Sequence, residues 1–195
     1  MDGGFGPIGH PHLDLQDPDL VSRVRAAGHH LRPLSAYMGG LPVLEEGEIG
    51  ATQRAQIQEA ERFLADRAAW SDPDRFAPLE IPGLRGVRVL AMARPYRNLV
   101  LLDGVDPVAC IRSGLPFVTP AWRGRGLGAL LVLISDLERG RFLSPAAYSV
   151  SGARARRSAH ALQVRIVAEG SGRPETTTAD DQGSGSVVTS MQTKL

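Results

Sequence analysis

The stretch Val118-Thr-Pro-Ala-Trp-Arg-Gly-Arg-Gly-Leu-Gly-Ala-Leu-Leu131 constrains this chain more than any other. A short apolar run (Leu115, Phe117, Val118) ends at Pro120, and two arginines then alternate with three glycines: Arg123, Gly124, Arg125, Gly126, Gly128. Ala129 to Arg139 reads as a buried helix that stops at Gly140. A strand, a glycine turn and a helix start form an anion site. The unpaired amides of the first helical turn point outward, and the helix dipole favours negative charge there. Glycines let backbone amides converge on phosphate oxygens, and arginines add forked donors.

Three patterns compete for the stretch. A P-loop requires Lys-Ser/Thr after its last glycine, and Ala129-Leu130 stands there instead. A dinucleotide fingerprint requires a third glycine where Leu131 stands, and a first strand near the start of a βαβ unit. The third pattern, Val-x-Pro-x-x-Arg-Gly-x-Gly-x-Gly-x-x-Leu, matches Val118 through Leu131 position by position. In this respect the chain resembles the acyl-CoA-binding motif of the GNAT N-acetyltransferase superfamily, and the likeness in element order covers about residues 11 to 168.

Composition narrows the rest. The 195 residues, 43% apolar, suit one core-forming domain with some extra sequence. Net charge is +1, from 22 basic and 21 acidic residues, so nothing suggests a general nucleic-acid surface. No apolar stretch approaches the ~18 residues of a membrane span. The opening residues lack the basic segment and apolar core of a secretory leader. Single Cys110, inside an apolar run, reads as a small core residue in a reducing cytoplasm. His10-Pro-His12 lacks a second Cys/His pair at ligand spacing, so no metal is expected.

Residues 1–16 read as irregular, with a short strand near Leu13–Leu15. Asp17-Pro-Asp19 caps a helix that ends near Gly28. Residues 32–49 read as an irregular connection that could also line a substrate cleft. An amphipathic helix is expected from Thr52 to Trp70, with Ala55, Ile57, Ala60, Phe63, Leu64 and Ala68 inward. Strands follow at Val87–Ala93, Leu99–Leu102, Val108–Ile111 and Leu115–Val118, the middle two joined by the turn 103–106. After the motif helix, Ala146–Val150 reads as a strand, and a helix from Ala153 to Ala168 opens at Ser151-Gly152. That helix puts Ala155, Ala159, Leu162 and Ile166 on its inner face. Arg154, Arg156, Arg157 and Arg165 decorate it, read as a solvated side or as help with phosphates. Residues 171–195, almost without apolar side chains, are expected to be a disordered tail outside a single domain of residues 1–170.

The fold class expected from the resemblance is α/β (α+β): a mixed, mostly antiparallel central sheet flanked by helices, without the family's usual last strands. The implied activity is acyl-CoA-dependent N-acyl transfer, with acetyl-CoA as co-substrate and an amine of a small molecule or protein as acceptor. A GNAT-like CoA-binding or structural module without activity is the alternative, since the usual tyrosine of the following helix is absent. Carried over, Phe117, Val118 and Thr119 meet the pantetheine arm. Arg123, Gly124, Arg125, Gly126, Leu127, Gly128 and Ala129 hold the pyrophosphate, and an amide near Val118 polarises the thioester carbonyl. Tyr148 and His160 are the candidates for protonating the departing thiolate. The acceptor stays open, as does a homo-oligomer.

Overall fold

The structure, a computed structural model, describes residues 11–92, 98–112, 114–139 and 147–171. The sheet is the frame. Strands β3 (Phe76–Pro78), β5 (Arg88–Met92), β6 (Leu99–Asp103), β7 (Asp106–Arg112) and β8 (Leu115–Val118) lie in that spatial order, each antiparallel to its neighbour. Strand β1 (His12–Leu13) pairs separately with β4 (Leu84–Arg85), and β2 (Val43–Leu44) runs parallel to β9 (Tyr148–Ser149).

Side chains alternate across a strand, so β6 feeds two layers. Leu99 and Leu101 join one core with Leu20, Val24, Val89, Ile111 and Ile166, whereas Val100 and Leu102 join another with Phe63, Trp70, Phe76, Cys110 and Phe117. The first core brings in α1 (Pro18–Ala27), α5 (Leu127–Arg139) and α6 (Val150–Gly170), and the second α3 (Ala51–Ala65) and α4 (Arg67–Ser71). Burial on both faces explains why Leu99–Leu102 is an unbroken apolar run.

Helix α5 is buried on all sides from Leu130 to Asp136, as expected of a helix packed between a sheet and other helices. Leu130, Leu131, Leu133 and Ile134 each contribute about 1.5–3 kcal/mol by leaving water. Helices α5 and α6 run parallel: Gly128 meets Ala155, Val132 packs with Ala159, and Asp136 meets Gln163. Both helix N-termini therefore lie at the same end of the molecule.

Several sequence expectations need correction. The 52–70 helix is two helices, because the Asp66 carboxylate accepts the Ala68 amide at 3.1 Å and starts a second one. Ala55 and Ala68 are exposed, and Trp70 is buried instead. Residues 32–49 are not a plain connection. They hold α2 (Leu34–Met38), which buries Tyr37 and Met38, then β2 and a 3₁₀ turn at Glu46–Glu48. The last helix begins at Val150, and Ser149, not Ser151, caps it by accepting the Gly152 amide. The sheet of five strands is antiparallel throughout; among the described residues, parallel pairing is confined to β2 and β9. The expectations for residues 1–10, Ala93, Gly140, Ala146 and 172–195 lie outside the described residues. Among the described residues, no helix is long and apolar enough to cross a membrane.

Candidate functional site

Strand β8 is the sheet's edge, hydrogen-bonded to β7 alone among the described residues. The Thr119 amide donates to Val108 O at 3.0 Å, and its hydroxyl donates to the same oxygen, also at 3.0 Å. Antiparallel pairs alternate between bonded and non-bonded positions. Val118, opposite Ala109, is therefore at a non-bonded position, and its N–H and C=O face the open edge. Pro116 is at the next such position, and as a proline it has no N–H to leave unpaired. The Val118 carbonyl accepts Arg123 Nε at 3.2 Å. Phe117 takes the other register, buried towards the α3 layer.

Beyond Thr119, a 3₁₀ turn (Pro120–Trp122) leads into Gly124 and Gly126, whose φ values are +79° and +78°. Side-chain-bearing residues rarely adopt that conformation, so the two glycines are what lets the chain coil back on itself before the helix. The Leu130 amide donates to Gly126 O at 3.0 Å as the first turn of α5 closes. The amides of Leu127, Gly128 and Ala129 precede that bond and have no intrahelical acceptor. Arg123, Gly124, Arg125 and Gly126 are exposed, whereas Leu127 is buried and roots the turn in the core. Arg125 lies 4.6 Å over the Trp122 ring and Arg123 6.0 Å over Phe117. Both guanidiniums thus stand on aromatic faces around the loop. Gly128 has a different part: a Cβ there would stand 3.2 Å from the Ala155 Cβ, so it sets the close approach of α5 and α6.

Strands β8 and β9 belong to different sheets, and a cavity of about 20 Å³ opens between them. Leu115 and Pro116 form one wall and Tyr148 and Ser149 the other, with Val132, Gln53 and Arg156 around them. Tyr148 is only 4% exposed, and its hydroxyl has no hydrogen-bond partner among the described residues. A buried hydroxyl normally has one, so this orphaned donor in a cavity wall is unusual. Behind it lies a polar cluster. Asp136 is fully buried on α5, and its Oδ2 accepts the Tyr37 hydroxyl at 2.5 Å and Gln163 Nε2 at 3.0 Å. Burial raises the Tyr37 pKa, and the neighbouring Asp136 charge raises it further. Arg156 donates Nε and Nη2 to the Tyr37 carbonyl, both at 3.3 Å, stacks 4.4 Å over the Tyr37 ring, and holds Nη1 3.9 Å from Asp136 Oδ1.

The structure therefore brings Tyr148 into the cavity and leaves His160 outside its lining. His160 Nε2 donates to the Arg32 carbonyl at 2.8 Å, and its ring packs 4.9 Å from that of Tyr37. Arg156 corrects the reading of the α6 arginines as surface decoration: it is 7% exposed, while Arg154, Arg157 and Arg165 are exposed. Its spacing held the clue. Arg156 falls three residues after Ala153 and before Ala159, on the helix face that is buried. Asp136 within an apolar helix was a similar signal. No family model, curated protein or solved structure matches the chain.

Proposed function

We propose that this protein is an acyl-CoA-dependent N-acyltransferase of GNAT-like architecture, carrying an acetyl group from acetyl-CoA to a primary amine. The observation that carries this reading is a juxtaposition. An edge strand with an outward Val118 amide runs into an arginine-glycine loop at a helix N-terminus, and a cavity with an orphaned tyrosine hydroxyl opens beside the same strand. The residues fit such a co-substrate. The 124–126 turn leaves the Leu127–Ala129 amides available to pyrophosphate oxygens, Arg123 and Arg125 supply charge at the rim, and the β8 edge offers main-chain groups to the amide-bearing arm.

In this reading the chain does three things. The loop and strand fix the thioester against β8, which turns the encounter with the amine into a positioned one. The Val118 N–H donates to the carbonyl oxygen as negative charge develops there during attack by the neutral amine. The Tyr148 hydroxyl gives its proton to the sulfur as the carbon–sulfur bond breaks. The amine's surplus proton leaves to water.

The test is release of free thiol from acetyl-CoA against a panel of primary amines. Tyr148→Phe is expected to lower kcat by about 10²-fold while CoA affinity persists. Removing a hydroxyl that has no partner is also expected to leave stability unchanged or slightly raised. Equal turnover by Tyr148→Phe would remove its assigned role. CoA binding without amine-dependent turnover would instead identify a CoA-binding module without acyl transfer.

A further inference from the structure

The cavity between β8 and β9 stands beside the hydroxyl assigned to the departing sulfur, and much of its lining is hydrocarbon. Leu115 and Pro116 close it on the β8 side, Val132 on the α5 side, and Ala147 just ahead of β9. Pro116 takes the non-bonded position next to that of Val118 on the open edge, and it carries no N–H. The wall beyond Val118 therefore offers a ligand no donor from that residue. Of the polar lining residues, Ser149 accepts the Gly152 amide, Arg156 is engaged with Tyr37 and Asp136, and Gln53 is half-buried on α3. Burying a polar group without a partner is costly, so such a lining suits an apolar one.

Val132 sets the depth of this space. Gly128, Val132 and Asp136 recur every fourth residue of α5, on the side that faces α6. Val132 is 1% exposed and packs with Ala129 and Ala159, so it cannot retreat from the cavity without loosening that contact. The open volume is about 20 Å³. A single water-sized group needs about 10–15 Å³, so there is room for one or two such groups and no more.

We infer that Val132 is the floor of the acyl pocket and limits the transferred group to about two or three carbons. This inference rests on the acyl-transfer reading of that cleft. The sulfur that takes the Tyr148 proton is bonded to the carbonyl carbon, so the acyl tail on that carbon enters the cavity beside Tyr148. Acetyl puts a single methyl there and propionyl one methylene more, whereas butyryl exceeds the space. Val132 is thus a specificity residue: it excludes longer thioesters by overlap and leaves the shorter ones their room.

Calorimetry on the full chain with free CoA, acetyl-CoA, propionyl-CoA and butyryl-CoA reads the limit. A methylene beyond what an apolar pocket holds changes affinity by about tenfold or more, so butyryl-CoA is expected to bind at least about tenfold more weakly than acetyl-CoA. Val132→Ala removes two methyl groups from the floor. It is expected to bring butyryl-CoA to within about threefold of acetyl-CoA, with the affinity for free CoA unchanged. If Val132→Ala does not fold, Val132→Ile adds a methyl instead and is expected to weaken propionyl-CoA relative to acetyl-CoA by about tenfold; a ratio equal to that of the wild type overturns the inference. Equal affinities of the wild type for the acetyl and butyryl thioesters, or a discrimination that survives Val132→Ala, overturn it too. If free CoA fails to bind at all, the acyl-transfer reading falls and this inference with it. CoA binding that is indifferent to acyl length strikes this inference alone and leaves the cavity to the acceptor.

Discussion

The parallel pairing of α5 and α6 brings Asp136 to Gln163 and Arg156, and the contact between Gly128 and Ala155 is where that pairing can be tested most sharply. A Cβ on Gly128 would stand 3.2 Å from the Ala155 Cβ, some tenths of an ångström inside the ~3.5–4.0 Å optimum for carbon pairs. Gly128→Val adds two further carbons at that contact. Overpacking typically costs about 1–3 kcal/mol, and the gain in helix propensity over glycine offsets only part of this, at most about 1 kcal/mol. We expect a net loss of about 1–2 kcal/mol. Ala155→Gly alone is expected to cost about 1 kcal/mol, through propensity and lost contact. The double variant removes the opposing methyl, so its loss should fall short of the sum by about 1 kcal/mol. Urea unfolding of all four proteins provides the cycle, with the slope of each transition checked for constancy. Losses that add to within ~0.5 kcal/mol would show that the two residues do not touch, and the placing of Arg156 and Asp136 would fall with the register.

Two further outcomes follow from buried contacts. A Cβ on Gly170 would stand 2.8 Å from one Val21 methyl and closer still to the other. Gly170→Ala should therefore cost about 1–3 kcal/mol, read as a lower melting temperature, and Val21→Ala should relieve the clash; an unchanged melting temperature would contradict this. His29 is buried with neither ring nitrogen hydrogen-bonded among the described residues, and burial lowers its pKa, opposed by Asp136 and aided by Arg32, Arg156 and His30. With the folded pKa below the unfolded value of about 6.5, acidification protonates the unfolded chain first. Stability from this group is intact above about pH 6.5 and declines below it, by at most about 1.4 kcal/mol per pH unit. Urea unfolding between about pH 8 and pH 5.5 should show the decline and a shallower one in His29→Phe; equal slopes would exclude His29 as its source.

What could be read from the sequence was whatever local chemistry decides. Asp17 and Gly28 bracket α1 by side-chain capping and a left-handed residue, both visible as residue types. Leu99–Ile111 announced a hairpin by two apolar runs around an Asp-Gly turn, and the strand-loop-helix around Gly126 stands where its pattern put it. Cys110 lies in the core, where burial pushes its thiol up to about 12. Tertiary pairing was not legible. Strands β2 and β9 are two residues each and exist through one another, far apart in sequence. Arg156 looked like a surface charge because its partners, Tyr37 and Asp136, lie on helices 119 and 20 residues away. Gly128 fitted a phosphate-loop pattern, yet its position is explained by Ala155 across the helix pair.

If the 123–129 loop holds a CoA thioester, isothermal calorimetry with CoA and acetyl-CoA will register it as heat of binding. The wild type is expected to bind both. Gly126→Glu, which puts a side chain and a negative charge where phosphate would lie, is expected to abolish binding. Gly126→Ala serves as the control for backbone strain at φ +78°. Arg123→Ala and Arg125→Ala are each expected to weaken binding by about 1–3 kcal/mol. No heat of binding from the wild type, or unchanged affinity in a folded Gly126→Glu variant, would mean that the loop does not hold the thioester.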